Sequence, residues 1–166
     1  MEKAIIRIAT INDLPFIQDL NNELFNLELQ NYDNTLVKGW ALSNEGKEYF
    51  EDLISNHYVI VALLNDMIVG YLAGSINDKG SYETIQYGEI NNMFIKDKCR
   101  GYGIGKSLVN QFKSYCKSNG INDLIVTASA KNNNAINFYK KNGFEDFNLT
   151  LTMNIEEEDK WIKLQC

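Results

Sequence analysis

Apolar positions recur along the chain with two spacings, and the switches between them mark out the elements. Ala4-Ile5-Ile6-Arg7-Ile8 reads as a first strand. Leu14, Ile17, Leu20, Leu24 and Leu27 then follow at three- and four-residue steps, which places them on one face of a helix. Asn12 is positioned to cap that helix, and Pro15 falls in its first turn, where a missing N–H costs little. Residues 31–42 are polar and irregular, with Tyr32 and Trp40 among them, and residues 45–54 read as a second helix. The run Tyr58-Val59-Ile60-Val61-Ala62-Leu63-Leu64 is a strand, and Asn65-Asp66 turns it tightly into a second strand over 68–76. A loop with Gly80 spans 78–84 and leads to a central strand over 85–95.

Ile104, Leu108, Phe112 and Tyr115 give the next helix one apolar face, and Asn119-Gly120 ends it. Leu124-Ile125-Val126 is a buried strand, and residues 134–141 form a short helix closed by Asn142-Gly143. Alternation at Leu149, Leu151 and Met153 predicts one or two more strands over 144–155. The tail is acidic at Glu156-Glu157-Glu158-Asp159 and apolar at Trp161, Ile162 and Leu164. With no repeat or linker, the order β-α-α-β-β-β-α-β-α-β predicts a single α/β domain over 1–166 with a mixed sheet.

The most telling stretch joins the central strand to the following helix. Arg100-Gly101-Tyr102-Gly103-Ile104-Gly105 is a glycine-rich loop at a helix N-terminus, where backbone N–H groups and the helix dipole favour a phosphate. Gly105-Lys106-Ser107 ends like a Walker A loop, but the position five earlier is Arg100 rather than glycine. The dinucleotide spacing Gly-x-Gly-x-x-Gly also fails, since its last position falls on Lys106 or Leu108. Arg-x-x-Gly-x-Gly instead resembles the pyrophosphate loop of the GNAT superfamily of N-acyltransferases.

A second motif lies downstream, Asn132-Asn133-Asn134-Ala135-Ile136-Asn137-Phe138-Tyr139 followed by Lys140-Lys141-Asn142-Gly143-Phe144. It resembles that family's Asn-x-x-Ala-x-x-Phe-Tyr-x-x-x-Gly-Phe signature at every fixed position. One helix and one strand separate the two motifs, as in the family. The resemblance implies a GNAT-like fold, a mostly antiparallel twisted sheet flanked by helices, and acetyl-CoA as cosubstrate. It implies that Arg100, Gly101, Tyr102, Gly103, Ile104, Gly105 and Lys106 cradle the pyrophosphate. It implies that Met93, Phe94 and Ile95 offer backbone to the pantetheine arm, and that an N–H there faces the thioester oxygen. Asn132 matches an asparagine that contacts the coenzyme arm, and also suits a helix N-cap. Tyr139 matches the general acid that protonates the departing thiolate.

The amine poses the harder problem. A lysine-like amine of pKa near 10.4 is only about 1 part in 2,500 neutral at pH 7, a cost of roughly 4.6 kcal/mol. Glu89, on the central strand four residues before Met93, is the candidate base, with Glu83 in the preceding loop second. Asn91-Asn92 suit either a bulge in that strand or its polar face. Family architecture puts the first two helices on one wall of the acceptor cleft, so Glu23, Glu28, Asp33 and Asp52 are carboxylates that can meet a cation there.

Composition narrows the classes. The 166 residues are 45% hydrophobic, enough for a sizeable core. A net charge of −6 argues against broad nucleic-acid binding and suits a cationic partner, while Lys96, Lys98, Arg100 and Lys106 concentrate positive charge at the glycine loop. No apolar run reaches membrane-spanning length, and Met1-Glu2-Lys3 leads directly into the first strand, so a cytoplasmic protein without membrane contact is expected. Cys99, Cys116 and Cys166 have no paired spacing and read as free thiols. His57 is the only histidine, which leaves a catalytic triad with one possible base, and no zinc spacing occurs, so no metal is expected. The resulting expectation is an acetyl-CoA-dependent N-acetyltransferase acting on a primary amine by direct attack, with a homodimer as one possible assembly. A non-catalytic acyl-CoA sensor is the alternative, and Tyr139 speaks against it.

Overall fold

Among the described residues five strands form one sheet in sequence order, and one of its reversals is a tight two-residue turn. In the computed structural model, which describes residues 3–155, they are β1 (Ile5–Ile8), β2 (Tyr58–Leu64), β3 (Met67–Ile76), β4 (Tyr87–Ile95) and β5 (Asp123–Val126). β1 to β4 pair antiparallel, and β5 pairs parallel with β4. The β2–β3 hairpin closes through Asn65 and Asp66, both at positive φ (49° and 59°), the two-residue turn whose twist matches that of the flanking strands. The helices are α1 (Leu14–Asn31), α2 (Asn44–Asn56), α3 (Ile104–Ser118) and α4 (Asn133–Lys141).

Each face of the sheet carries its own core, as the period-two alternation of strand side chains requires. Val59 and Val61 point to α1 and α2, where Ile17, Leu20, Phe50 and Phe94 meet them. Ile60 and Ala62 point the other way, to Leu108, Val109, Phe112 and Cys116 of α3. Glycines let α3 approach closely. A Cβ on Gly74 would stand 2.5 Å from the Phe112 ring, and one on Gly88 would run into the Cys116 sulfur.

Two expectations are corrected. Asn12 does not cap α1; it lies inside a 3-10 turn, Ile11–Asp13, that leads into the helix. The N-cap of α1 is Asp13, whose carboxylate accepts from the Thr10 amide at 2.7 Å and pairs with both terminal nitrogens of Arg7 at 2.7 and 2.8 Å. That bidentate pair holds the buried Asp13 carboxyl down at about 2. Among the described residues the strands predicted after α4 are not seen: residues 144–154 carry no strand there, and Leu149, Leu151 and Met153 stand exposed. Alternation supplies a face, but a strand also needs a hydrogen-bonding neighbour, and among the described residues β5 pairs with β4 alone. The acidic and apolar tail predicted after Ile155, and Cys166 with it, lie outside the described residues.

Candidate active site

β4 begins paired with β5 and ends without it. The parallel register runs from Tyr87 opposite Asp123 to Ile90 opposite Val126, and residues 91–95 of β4 have no partner on β5. Their other edge stays paired with β3 as far as Ile95 opposite Gly70. A slot therefore opens beside the second half of β4. The divergence coincides with a bulge. Ala73 faces Asn92 and Gly74 faces Ile90, so Asn91 is the extra residue. Of the two readings of Asn91-Asn92, the bulge is the one observed.

The bulge also changes which face each side chain takes. Gly88 and Ile90 lie against the α3 core, so Glu89 points to the α1/α2 side. One residue of extra chain then returns Asn92 to that same side, where it bonds Tyr49 of α2 and Asn21 of α1. Phe94 follows it into the α1/α2 core, while Met93 and Ile95 border the α3 core. What Met93, Phe94 and Ile95 can present to the slot is backbone.

At the end of β4 the glycine loop is wound as a phosphate cradle requires. Gly101 and Gly103 sit at φ 84° and 79°, in the left-handed region that favours glycine, and Gly103 is the N-cap of α3. The first N–H groups of α3, from Ile104, Gly105 and Lys106, have no acceptor in the preceding turn. Gly105 serves a second end: a Cβ there would stand 3.0 Å from the Phe138 ring, so its absence lets α4 dock on α3. Arg100 is engaged by the chain itself. Its Nε donates to the Ile95 carbonyl at 2.9 Å, its head group pairs with Asp97 at 2.9 Å, and it lies over the Phe94 ring. It ties the loop to the end of β4. Tyr102 and Lys106 remain exposed on the loop.

The N-cap and body of α4 carry two further predicted residues. Asn132 caps the helix, its Oδ1 accepting from the Ala135 amide at 3.0 Å. Its amide nitrogen donates to Glu28 on α1 at 3.0 Å, so this bond links the helices of the two faces. Burial raises the Glu28 carboxyl above its ordinary value, the Asn132 bond opposes this, and the Asp33 charge adds to it. Tyr139 packs between Phe138 and Phe144, with ring centroids 5.2 and 5.4 Å away. Burial pushes its hydroxyl up to about 12, so it stays protonated. Among the described residues that hydroxyl has no hydrogen-bond partner.

Glu89 lies on the other side of the sheet from α3, where Asn77 donates a short hydrogen bond to its carboxylate. It lines a cavity of about 560 Å³ together with Asn77, Asp78, Glu83, Ile125 and Phe147. The two carboxylates proposed as bases thus share one cavity, although Glu83 accepts from the Gly80 amide at 2.8 Å. Of the remaining carboxylates, Asp52 turns to Asn56 and His57 at the end of α2, and Glu23 comes within 4.0 Å of Lys96. Asp33 is taken up by Thr35. Cys116 is buried and pushed up to about 11, which makes it an inert core thiol.

Sequence reasoning missed Asn21, Tyr71 and Asn77. Asn77 sits in a loop and gives no periodic signal. Asn21 did give one, since it stands four residues after Ile17 and three before Leu24, inside the apolar stripe of α1. Tyr49 reads as a core aromatic and does contact Trp40 and Phe50, but its hydroxyl also meets Asn92 at 2.9 Å. Burial raises that hydroxyl above its ordinary value, the bond from Asn92 opposes this, and the Glu89 charge adds to it.

Comparison with known proteins shows the family and the fold. The model of the Acetyltransferase (GNAT) family matches residues 17–144. An N-acetyltransferase of Methanocaldococcus jannaschii is 34% identical over 86 residues, covering 52% of this chain and 38% of that protein. A second from the same organism is 27% identical over 143 residues, covering 86% and 78%. The chain thus spans well under half of the first relative and over three quarters of the second. An acetyltransferase of Clostridium acetobutylicum, solved with acetyl-CoA, superposes with a TM-score of 0.70 at 22% identity, over 94% of this chain and 99% of that one. At that identity the likeness is one of fold.

Proposed function

The chain belongs to the acetyltransferase (GNAT) family, and from that premise we propose that it transfers the acetyl group of acetyl-CoA to a primary amine by direct attack in a ternary complex. The observation that carries this reading is the divergence of β4 from β5 at a bulge, with the glycine loop at the end of the exposed strand. In this reading the pyrophosphate rests on Gly101, Gly103 and the first N–H groups of α3. The pantetheine arm runs along the backbone of Met93, Phe94 and Ile95, and an N–H near the bulge receives the thioester oxygen as negative charge develops on it. Arg100 acts through position, by fixing the loop against β4.

The amine enters from the cavity that Glu89 lines. Asp78, Glu83 and Glu89 outnumber Lys79 there, which favours the protonated form on arrival. Glu89, steadied by Asn77, takes the amine proton, and the nitrogen lone pair attacks the thioester carbon. The tetrahedral intermediate collapses with cleavage of the carbon–sulfur bond. Tyr139 gives its proton to the departing sulfur, its raised pKa keeping that proton available at neutral pH, and the second proton shed by the acetylated nitrogen balances the one Tyr139 gave up. The bond from Asn132 to Glu28 supports a role in this reading for Asn132 in holding the coenzyme arm beside α4.

The test is a panel of primary amines, with free thiol released from acetyl-CoA followed against time. Thiol release that depends on one class of amine, with an acetylated amine formed in equal amount, is the expected result. Tight acetyl-CoA binding without thiol release on any amine would overturn the catalytic reading and leave a coenzyme sensor.

A further inference from the structure

Under the bulge of β4 lies a polar cluster drawn from four elements. Asn21 of α1 is fully buried (0% exposed). Its amide nitrogen reaches the hydroxyl of Tyr71, also 0% exposed, at 2.8 Å and the Asn92 carbonyl at 3.2 Å. Asn92 in turn donates to Tyr49 at 2.9 Å. Among the described residues the Asn21 carbonyl oxygen has no hydrogen-bond partner. Turning the amide over would move the orphan to the nitrogen without removing it. A buried polar group without a hydrogen bond is costly, and a leucine at this position would continue the stripe made by Ile17, Leu20 and Leu24. The local geometry is thus better for holding something in place than for stability.

What it holds is Asn92, the residue just after the extra residue of the bulge. Asn92 is bonded from α1 on one side and α2 on the other, so its position is fixed by helices rather than by β5, which has already left. We propose that Asn21 is a positioning residue: with Tyr71 behind it, it clamps Asn92 and so fixes the bulged backbone that receives the acetyl oxygen. This rests on the acetyl-transfer reading above.

The test compares affinities for acetyl-CoA and for CoA by titration calorimetry, which needs no acceptor. Asn21→Leu combined with Tyr71→Phe replaces both buried partners by apolar groups of similar shape, so the fold should survive with its melting temperature kept or raised. The acetyl-CoA to CoA affinity ratio should fall about three- to tenfold, the worth of one hydrogen bond, with CoA affinity itself within about twofold. Asn92→Ala, at a half-buried site, should lower the ratio similarly. An unchanged ratio in either folded protein overturns the proposal, as does equal weakening of both ligands. If the double variant does not fold, Asn92→Ala alone decides. Should the wild-type protein bind neither ligand, the acetyl-transfer reading itself falls, a result separate from any effect of the substitutions.

Discussion

The two faces of the sheet are built differently. On the α3 face, the buried interior is apolar, and glycines at 74, 88 and 105 bring α3 and α4 close to the strands and to each other. On the α1/α2 face, polar groups enter the core: Asn21, Tyr71 and Asn92 meet beneath the bulge, and Asp13 pairs with Arg7 at the helix start. The glycine loop, with its backbone donors, is mounted on the dry face. Glu89 is carried on the wet one. Close backbone approach suits a phosphate chain that is recognised by N–H groups, and side-chain polarity suits a proton transfer whose partner changes charge.

Breaking the wet face at its reacting end should have the largest effect. Glu89→Gln should lower turnover roughly 100-fold at neutral pH, the low end of general-base catalysis. The deficit should shrink as pH rises and more amine is already neutral. A constant ratio of mutant to wild-type rate from about pH 6.5 to 9.5 would remove Glu89 from the proton transfer.

Breaking the dry face should cost stability instead. Gly88→Val forces a branched side chain onto Cys116 and Leu124, and overpacking of this kind costs about 2–3 kcal/mol. Denaturant unfolding reads this directly, and an unaltered midpoint would show that α3 can retreat. The contrast is sharpened by the paired Asn21→Leu and Tyr71→Phe change, which should leave the midpoint in place or raise it.

A smaller effect separates satisfied from unsatisfied polar groups on the wet face. Asp13 is held at about 2, below its unfolded value near 3.8. Its stabilisation, about 2 kcal/mol, is therefore complete above roughly pH 4 and is lost as pH falls through about 2. In Asp13→Asn the difference from wild type should vanish across that window. A difference that persists unchanged at pH 2 would show that packing, rather than charge, is responsible.

Much of the fold was legible because local chemistry and the fold agree. Asn65-Asp66 reads as a tight turn, and both residues take the positive φ such a turn needs. The glycine loop over 100–105 reads as lying at a helix N-terminus, and Gly103 within it is the N-cap of α3. The errors share one cause, which is that a side chain's partner lies elsewhere in the chain. Asn12 has the residue type of a helix cap, but the chain enters α1 through a 3-10 turn whose Asp13 reaches back to Thr10 and to Arg7, six positions earlier. Leu149, Leu151 and Met153 alternate as a strand does, but among the described residues no strand pairs with them. Within the site, the spacing of Gly101, Gly103, Asn132 and Tyr139 was readable from two motifs. Asn21 was not, because its meaning depends on Tyr71, 50 positions away, and on Asn92, 71 positions away.

The central claim is that the slot between β4 and β5 performs chemistry rather than only holding a coenzyme, and Tyr139 tests it most directly. Tyr139→Phe keeps the ring between Phe138 and Phe144 and removes only the proton donor. Turnover of acetyl-CoA on the amine found by the panel is measured for both proteins, alongside coenzyme affinity. The account predicts turnover slower by about 10- to 100-fold, toward the low end for a general acid because the thiolate is already a fair leaving group, with affinity within a few-fold. Full activity in Tyr139→Phe would contradict it.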